Sequence, residues 1–158
     1  MTFPTTPFTC CVTSAENLDT IRPLWEQLRA YHGQLASPFA GEMGRATFEA
    51  RKQELLAKST NGTLRIELVS TASDAIDIAY CVSTVSAEGR GEIDSLFVDA
   101  RFRGQGIGSE LIRHALTWLD GMGATTKVMS VAYANEEALA LYRRFGFQPR
   151  TVLLQQKH

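Results

Sequence analysis

Hydrophobic positions along the chain recur with two periods, and the places where the period changes mark its elements. Phe8 to Val12 reads as a first strand. Leu18, Ile21, Trp25, Leu28 and Tyr31 or His32 then follow at three- and four-residue steps, which predicts an amphipathic helix over about 16–32. Thr13-Ser14-Ala15-Glu16 has the S/T-x-x-E spacing of a capping box at its start. Pro23 fits only if it falls in the first turn, which draws the start towards Asp19. Ser37 to Gly41 reads as a loop, and a second helix over about 46–58 turns Phe48, Leu55 and Leu56 inward. The period then shortens to two. Leu64, Ile66 and Leu68 alternate with Arg65, Glu67 and Val69, and Ile76, Ile78, Tyr80 and Val82 alternate again. After a turn at Glu88 to Gly91, Glu92 to Val98 predicts a further strand.

Beyond that strand the helical period returns. Ile107, Leu111, Ala115 and Leu119, joined by Ile112 and Leu116, predict a helix to about Gly121. Val128 to Ala132 reads as a strand. Asn135 opens a short helix carrying Ala138, Leu139, Leu141, Tyr142 and Phe145, with Glu136 and Glu137 at its positive end. Thr151 to Gln155 reads as a last strand. An antiparallel meander followed by crossover units predicts an α/β fold, with a mixed, mostly antiparallel sheet and helices on both faces.

The 158 residues suit one domain, 1–158, and residues 1–7, with Pro4 and Pro7, read as a loose lead-in. A formal charge of −1 argues against a bulk electrostatic grip on nucleic acid or an anionic membrane. Residues 1–100 nevertheless carry eight basic and thirteen acidic side chains, and residues 101–158 carry eight basic and four acidic. Cys10, Cys11 and Cys81 are odd in number, and neighbours on a strand face opposite ways, so buried free thiols in a reducing cytoplasm are expected. No metal-ligand spacing is present, and no apolar run is long enough to span a bilayer. The first nine residues lack the basic and apolar regions of a signal peptide.

Arg101-Phe102-Arg103-Gly104-Gln105-Gly106-Ile107-Gly108-Ser109 lies between a strand and the strongest helix. Bare N–H groups of such a turn, at a helix N-terminus with arginines beside them, form a site for an anion. It is not a P-loop, because GxxxxGK[ST] is absent. It fits a dinucleotide fingerprint poorly, because it follows a meander and no acidic residue ends the next strand.

Arg103-Gly104-Gln105-Gly106-Ile107-Gly108 resembles the R/Q-x-x-G-x-G/A motif of the GNAT-type N-acetyltransferase superfamily. Ile93 to Val98 resembles that family's fourth strand, and Asn135-Glu136-Glu137-Ala138 through Tyr142-Arg143-Arg144-Phe145-Gly146-Phe147 resembles its N-E-x-A…Y-x-x-x-G-F segment. The resemblance implies a GNAT-like fold with strands 92–98 and 127–132 splayed apart. It implies acetyl-coenzyme A as cosubstrate, a primary amine of a small molecule or protein as acceptor, no metal, and, as an expectation, a homodimer. Residues 91–147 would then hold the donor and the chemistry, and residues 8–90 the acceptor side and meander.

Under the same resemblance, the backbone N–H groups of Gln105, Gly106, Ile107, Gly108 and Ser109 receive the pyrophosphate, and Arg103 and Gly104 belong to the same cofactor-binding loop. Leu96, Phe97 and Val98 flank the pantetheine arm, with the Val98 N–H as oxyanion donor. Asn135 caps its helix and contacts the same arm. Tyr142 corresponds to the general acid, although periodicity alone would read it as core. Asp94, then Glu92, are candidates to take the amine's proton. Two residues apart on a strand, they lie about 6.5–7 Å apart on one face, expected to carry Leu96 and Val98 as well. Solvated strand-end carboxylates are the alternative. His32 reads as an acceptor-pocket residue or as a plain helix-end histidine. His114 is expected off the apolar face of its helix, and Cys81 in the core. The acidic first part favours a cationic acceptor. Two rival readings are a catalytically idle acyl-coenzyme A sensor and a nucleotide-binding interaction module.

Overall fold

A computed structural model describes residues 8–158, so the lead-in expected over 1–7 lies outside the described residues. The elements are β1 (Phe8–Thr13), a 3-10 segment (Ala15–Ile21), α1 (Arg22–His32), α2 (Ala40–Arg45) and α3 (Phe48–Thr60). β2 (Gly62–Thr71), β3 (Asp77–Ser86), β4 (Arg90–Val98), α4 (Ile107–Gly121), β5 (Thr126–Met129) and α5 (Glu136–Arg143) follow. The sheet order is β1-β2-β3-β4-β5. β1 to β4 pair antiparallel, and β5 joins β4 in parallel after the α4 crossover. This is the mixed, mostly antiparallel α/β architecture expected.

Helix starts follow local chemistry. The Thr47 side chain caps α3 by accepting from Ala50 N at 3.2 Å. Pro23 falls in the first turn of α1, which begins only at Arg22 because residues 15–21 wind as a tighter 3-10 segment. The predicted capping box does not form. Ser14 makes no cap and its hydroxyl turns instead to Glu16. α2 occupies part of the stretch read as a loop.

Each sheet face has its own core. Leu18, Ile21 and Trp25 pack with Phe48 and Leu55 of α3 onto Ile66, Tyr80 and Val82. On the other face Ile107, Leu111, Ile112, Ala115 and Leu119 of α4 pack onto Val69, Cys81 and Ile93. Leu55, Ile66, Ile112 and Leu119 are all 0% exposed, and burying such a side chain is worth about 1.5–3 kcal/mol. Buried Glu67 is matched by His114 Nδ1 at 2.7 Å and Arg65 at 3.1 Å, so His114 bridges helix to sheet.

Three expectations are corrected. Thr151 to Gln155 is no strand. Val152, Leu153 and Leu154 are 77–91% exposed, and the sheet does not include them. Strand propensity reports fitness for a pleated surface but cannot supply the partner ladder. Cys10 and Cys11 are exposed, on the edge strand β1, while Cys81 is buried as expected. Leu96 and Val98 do not share a face with Glu92 and Asp94. Ser83 pairs with Ile93 but Val82 pairs with Ser95, so Asp94 is an extra residue, a β-bulge that reverses the alternation beyond it. Glu92 and Asp94 meet Lys58 of α3, whereas Leu96 and Val98 pack on the α4 side.

Candidate active site

Pairing between β4 and β5 runs from Arg90↔Thr126 to Ile93↔Met129 and stops there, while β4 continues to Val98. The strands part beyond Ile93, as expected, and two cavities open along the gap. One, of about 420 Å³, lies at the glycine loop. The other, of about 260 Å³, lies among α1, the α2 segment, β4 and the stretch after β5.

The first cavity gathers most of the residues singled out from sequence. Leu96, Phe97, Val98, Arg103, Gly104, Gly106, Ile107, Gly108, Ser109, Asn135 and Tyr142 line it, and Gln105 does not. Gly106 stands at the N-terminus of α4 with φ +83°, a left-handed conformation that side chains strain to adopt. The first-turn N–H groups of α4 therefore face an open space that suits an anion. Arg103 spans the approach. Its Nε donates to the Val98 carbonyl at 3.0 Å, and its guanidinium lies 5.3 Å from the ring centroid of Tyr31 and 5.4 Å from that of Phe97. Arg144 also lines the cavity. Arg101 is turned away to Asp99, with Nε–Oδ1 at 3.1 Å and a terminal nitrogen to Oδ2 at 3.0 Å. That pair, and the Arg101 N–H to Asp99 Oδ1, hold the Asp99 carboxyl below its ordinary range.

Asn135 Oδ1 accepts from Ala138 N at 3.3 Å, capping α5, and from the Tyr31 hydroxyl at 3.4 Å. α1 is thereby tied to α5 across the gap. Tyr142, on α5, lines both cavities, as do Leu28, Leu96, Asn135 and Ala138. Its ring packs edge-on against Phe147, with centroids 6.4 Å apart. Burial raises its phenol, which keeps the proton at any neutral pH. Cys81 behind it is pushed up to about 12 by burial, so it is an inert core thiol.

The carboxylates hold a less open position than the pattern suggested. Lys58 Nζ donates to Glu92 Oε2 at 2.6 Å and to Asp94 Oδ1, while the Thr84 hydroxyl donates to Asp94 Oδ2 at 2.7 Å. Burial raises Asp94 above the ordinary carboxylate range against the pull of Lys58 and Thr84. Asp94 lines the smaller cavity; Glu92 lines neither. His32 does line the smaller cavity, and burial lowers its imidazole, so it is neutral at neutral pH.

The smaller cavity also overturns the electrostatic expectation. Its charged lining residues are Arg29, Arg51 and Asp94, so the acidic side chains of the first hundred residues are scattered away from it. Sequence reasoning passed over Arg29, Arg51 and Lys58, because no local pattern links a helix arginine or lysine to a strand that follows dozens of residues later.

The profile of the acetyltransferase (GNAT) family matches residues 49–147. The chain belongs to that family. The matched segment runs from α3 to the end of the Tyr142 helix, and so contains the bulge, the glycine loop and most of both cavities. Among curated GNAT relatives, the peptidyl-lysine N-acetyltransferase YjaB of Salmonella typhimurium is 43% identical over 56 residues, covering 35% of this chain and 35% of that protein. The spermine/spermidine N(1)-acetyltransferase of Bacillus subtilis is 33% identical over 61 residues, covering 38% of this chain and 40% of that protein. The chain thus spans 28–60% of the length of the curated relatives it matches. The fold is also that of the aminoglycoside N-acetyltransferase AAC(6')-Iy, solved in complex with CoA. Its TM-score is 0.65 at 17% identity, covering 99% of each chain. Among the described residues no group of three or more His, Cys, Asp or Glu is placed to hold a metal, and no helix is long and apolar enough to cross a membrane.

Proposed function

We propose that the chain transfers an acetyl group from acetyl-coenzyme A directly to a primary amine, in the cytoplasm. The observation that carries this reading is the position of Tyr142, buried at the point where the glycine-loop cavity meets a second cavity. A group placed there touches both a donor and an acceptor.

In this reading the loop from Arg103 to Ser109 receives the donor's pyrophosphate, with the helix dipole of α4 behind it. The arm of the donor lies along Leu96, Phe97 and Val98, where β4 has lost its parallel partner, and Asn135 faces it across the gap. The amine nitrogen attacks the thioester carbonyl carbon, and the Val98 N–H stabilises the oxyanion of the tetrahedral intermediate. When the carbon–sulfur bond breaks, the electron pair leaves on sulfur and Tyr142 donates the proton that completes the thiol. In water a thiol near pKa 8.5 and a phenol near 10 are roughly matched for this, and burial keeps the Tyr142 proton in place until the thiolate forms. The acceptor must first lose a proton. Asp94 takes it through water, with Glu92 sharing its charge through Lys58.

The two cavities favour this reading over an idle acyl-coenzyme A sensor, which needs no acceptor space. The test is release of coenzyme A thiol from acetyl-coenzyme A in the presence of an amine panel, with the acetylated product identified by mass. A protein that acetyl-coenzyme A stabilises against heat, but that releases no thiol with any amine, is a sensor.

A further inference from the structure

We infer that the acceptor is a small primary amine bearing a carboxylate, held by Arg29 and Arg51 in the smaller cavity; this rests on the acetyl-transfer reading. The cavity has an unbalanced positive lining. Asp94, its one lining carboxylate, already faces the Lys58 ammonium and accepts from Thr84, so its charge is matched within the protein. Arg29 has no carboxylate partner among the described residues. It donates one N–H to the Ala46 carbonyl at 3.1 Å and lies 5.6 Å from the ring centroid of Trp25, a seat that fixes its plane. Arg51 donates to the Asp94 carbonyl at 2.6 Å and to Glu54 at 2.9 Å. Glu54 is 63% exposed, so water screens most of what it offers. A guanidinium has five N–H donors, and each of these arginines has donors left for an anion.

The same lining disfavours a polycation. A second ammonium beside Arg29 and Arg51 meets repulsion in a partly desolvated space. A single amine gains from them, because neighbouring positive charge promotes loss of its proton, which attack on the thioester requires. The volume of about 260 Å³ lies at the small end of ligand pockets. It suits an amine the size of an amino acid. In this respect the chain departs from the relative that acetylates spermine and spermidine.

The experiment compares matched acceptors with the full chain: amino acids, their carboxamides and the corresponding decarboxylated amines, with spermidine as the polycation. The expected result is a kcat/KM for the carboxylates about tenfold or more above that for the amides, arising mainly in KM. In R29Q the carboxylate-to-amide ratio falls towards one, and R29K restores part of it. A deaminated carboxylate should inhibit competitively against the acceptor and not against acetyl-coenzyme A, a result independent of any variant. Amides or spermidine acetylated as well as the carboxylates overturn the inference and leave acetyl transfer standing. No turnover with any amine, together with no thermal stabilisation by acetyl-coenzyme A, overturns both.

Discussion

Lys58 on α3 holds Glu92 on β4 at 2.6 Å, and the same ammonium reaches Asp94 one pleat further on. Two carboxylates on adjacent positions of one strand face thereby share one counter-ion. The side chain of Asp94 is 0% exposed and depends on that contact more than Glu92, which is 18% exposed.

Replacing Lys58 with Met leaves a buried carboxylate without its counter-ion. The expected loss is about 3 kcal/mol of stability near pH 8, the lower end for a broken buried pair because Lys58 itself is partly exposed. The folded-state pKa of Asp94 is raised, so its contribution is present below the unfolded value near 4 and is lost as pH rises through the folded value. The deficit of the variant is therefore smaller near pH 5 than near pH 8. Urea denaturation at the two pH values measures it.

Tyr142→Phe removes one hydroxyl from the junction of the cavities and keeps the ring against Phe147. Under the proposed mechanism kcat falls by about 10²-fold. The dissociation constant for acetyl-coenzyme A and the midpoint of thermal unfolding stay close to those of the parent. A kcat within twofold of the parent would remove Tyr142 from the chemistry and leave it as packing.

Gly108 separates stability from binding. A Cβ built there sits 3.5 Å from Leu141 Cδ2 and 3.7 Å from Val98 Cγ2, which is ordinary contact. Gly108→Ala in the first turn of α4 should leave the fold as stable, or more stable by about 0.5 kcal/mol, because glycine is the more flexible in the unfolded chain. The methyl group occupies space at the wall of the glycine-loop cavity, so affinity for acetyl-coenzyme A should fall. Calorimetric titration and a thermal melt on the same sample read the two effects, and unchanged affinity would place the donor elsewhere.

The pH profile of kcat/KM identifies the proton acceptor. Burial raises Asp94 above the ordinary carboxylate range and lowers His32 below the ordinary imidazole range, so either can titrate on the acid side of neutrality. A fall in rate as pH drops below neutral is expected for the parent. Asp94→Asn should abolish that limb and lower the plateau, and Glu92→Gln should shift it. If the limb survives Asp94→Asn and vanishes in His32→Gln, the role belongs to the imidazole.

The lining of the glycine-loop cavity was legible in the sequence because its pattern is local. The glycines of residues 104–108, the helix that follows, and the spacing from Asn135 to Tyr142 each fit within one turn and one helix, and the structure brings them together around one cavity. The smaller cavity is assembled from α1, α3, β4 and the segment after β5, and no pattern within any one of them announces Arg29 or Arg51. Thr151 to Gln155 failed for the complementary reason: alternation records what a segment can pair with, while pairing needs an available edge. The two arginines also show why a charge total over a hundred residues says little about a cavity lined by only a few of them.

The extra residue at Asp94 acts as a phase shift in a repeating signal. Upstream of it, even-numbered positions of β4 look towards α3; downstream, even-numbered positions look towards α4. One strand thus serves two opposite flanks, the Lys58–Glu92–Asp94 cluster on one and the wall of the glycine-loop cavity on the other, without crossing the sheet. Deleting that single residue would put the two halves back in step and aim Leu96 and Val98 at the wrong flank. The division of labour in the cleft is written in the count of residues as much as in their kinds.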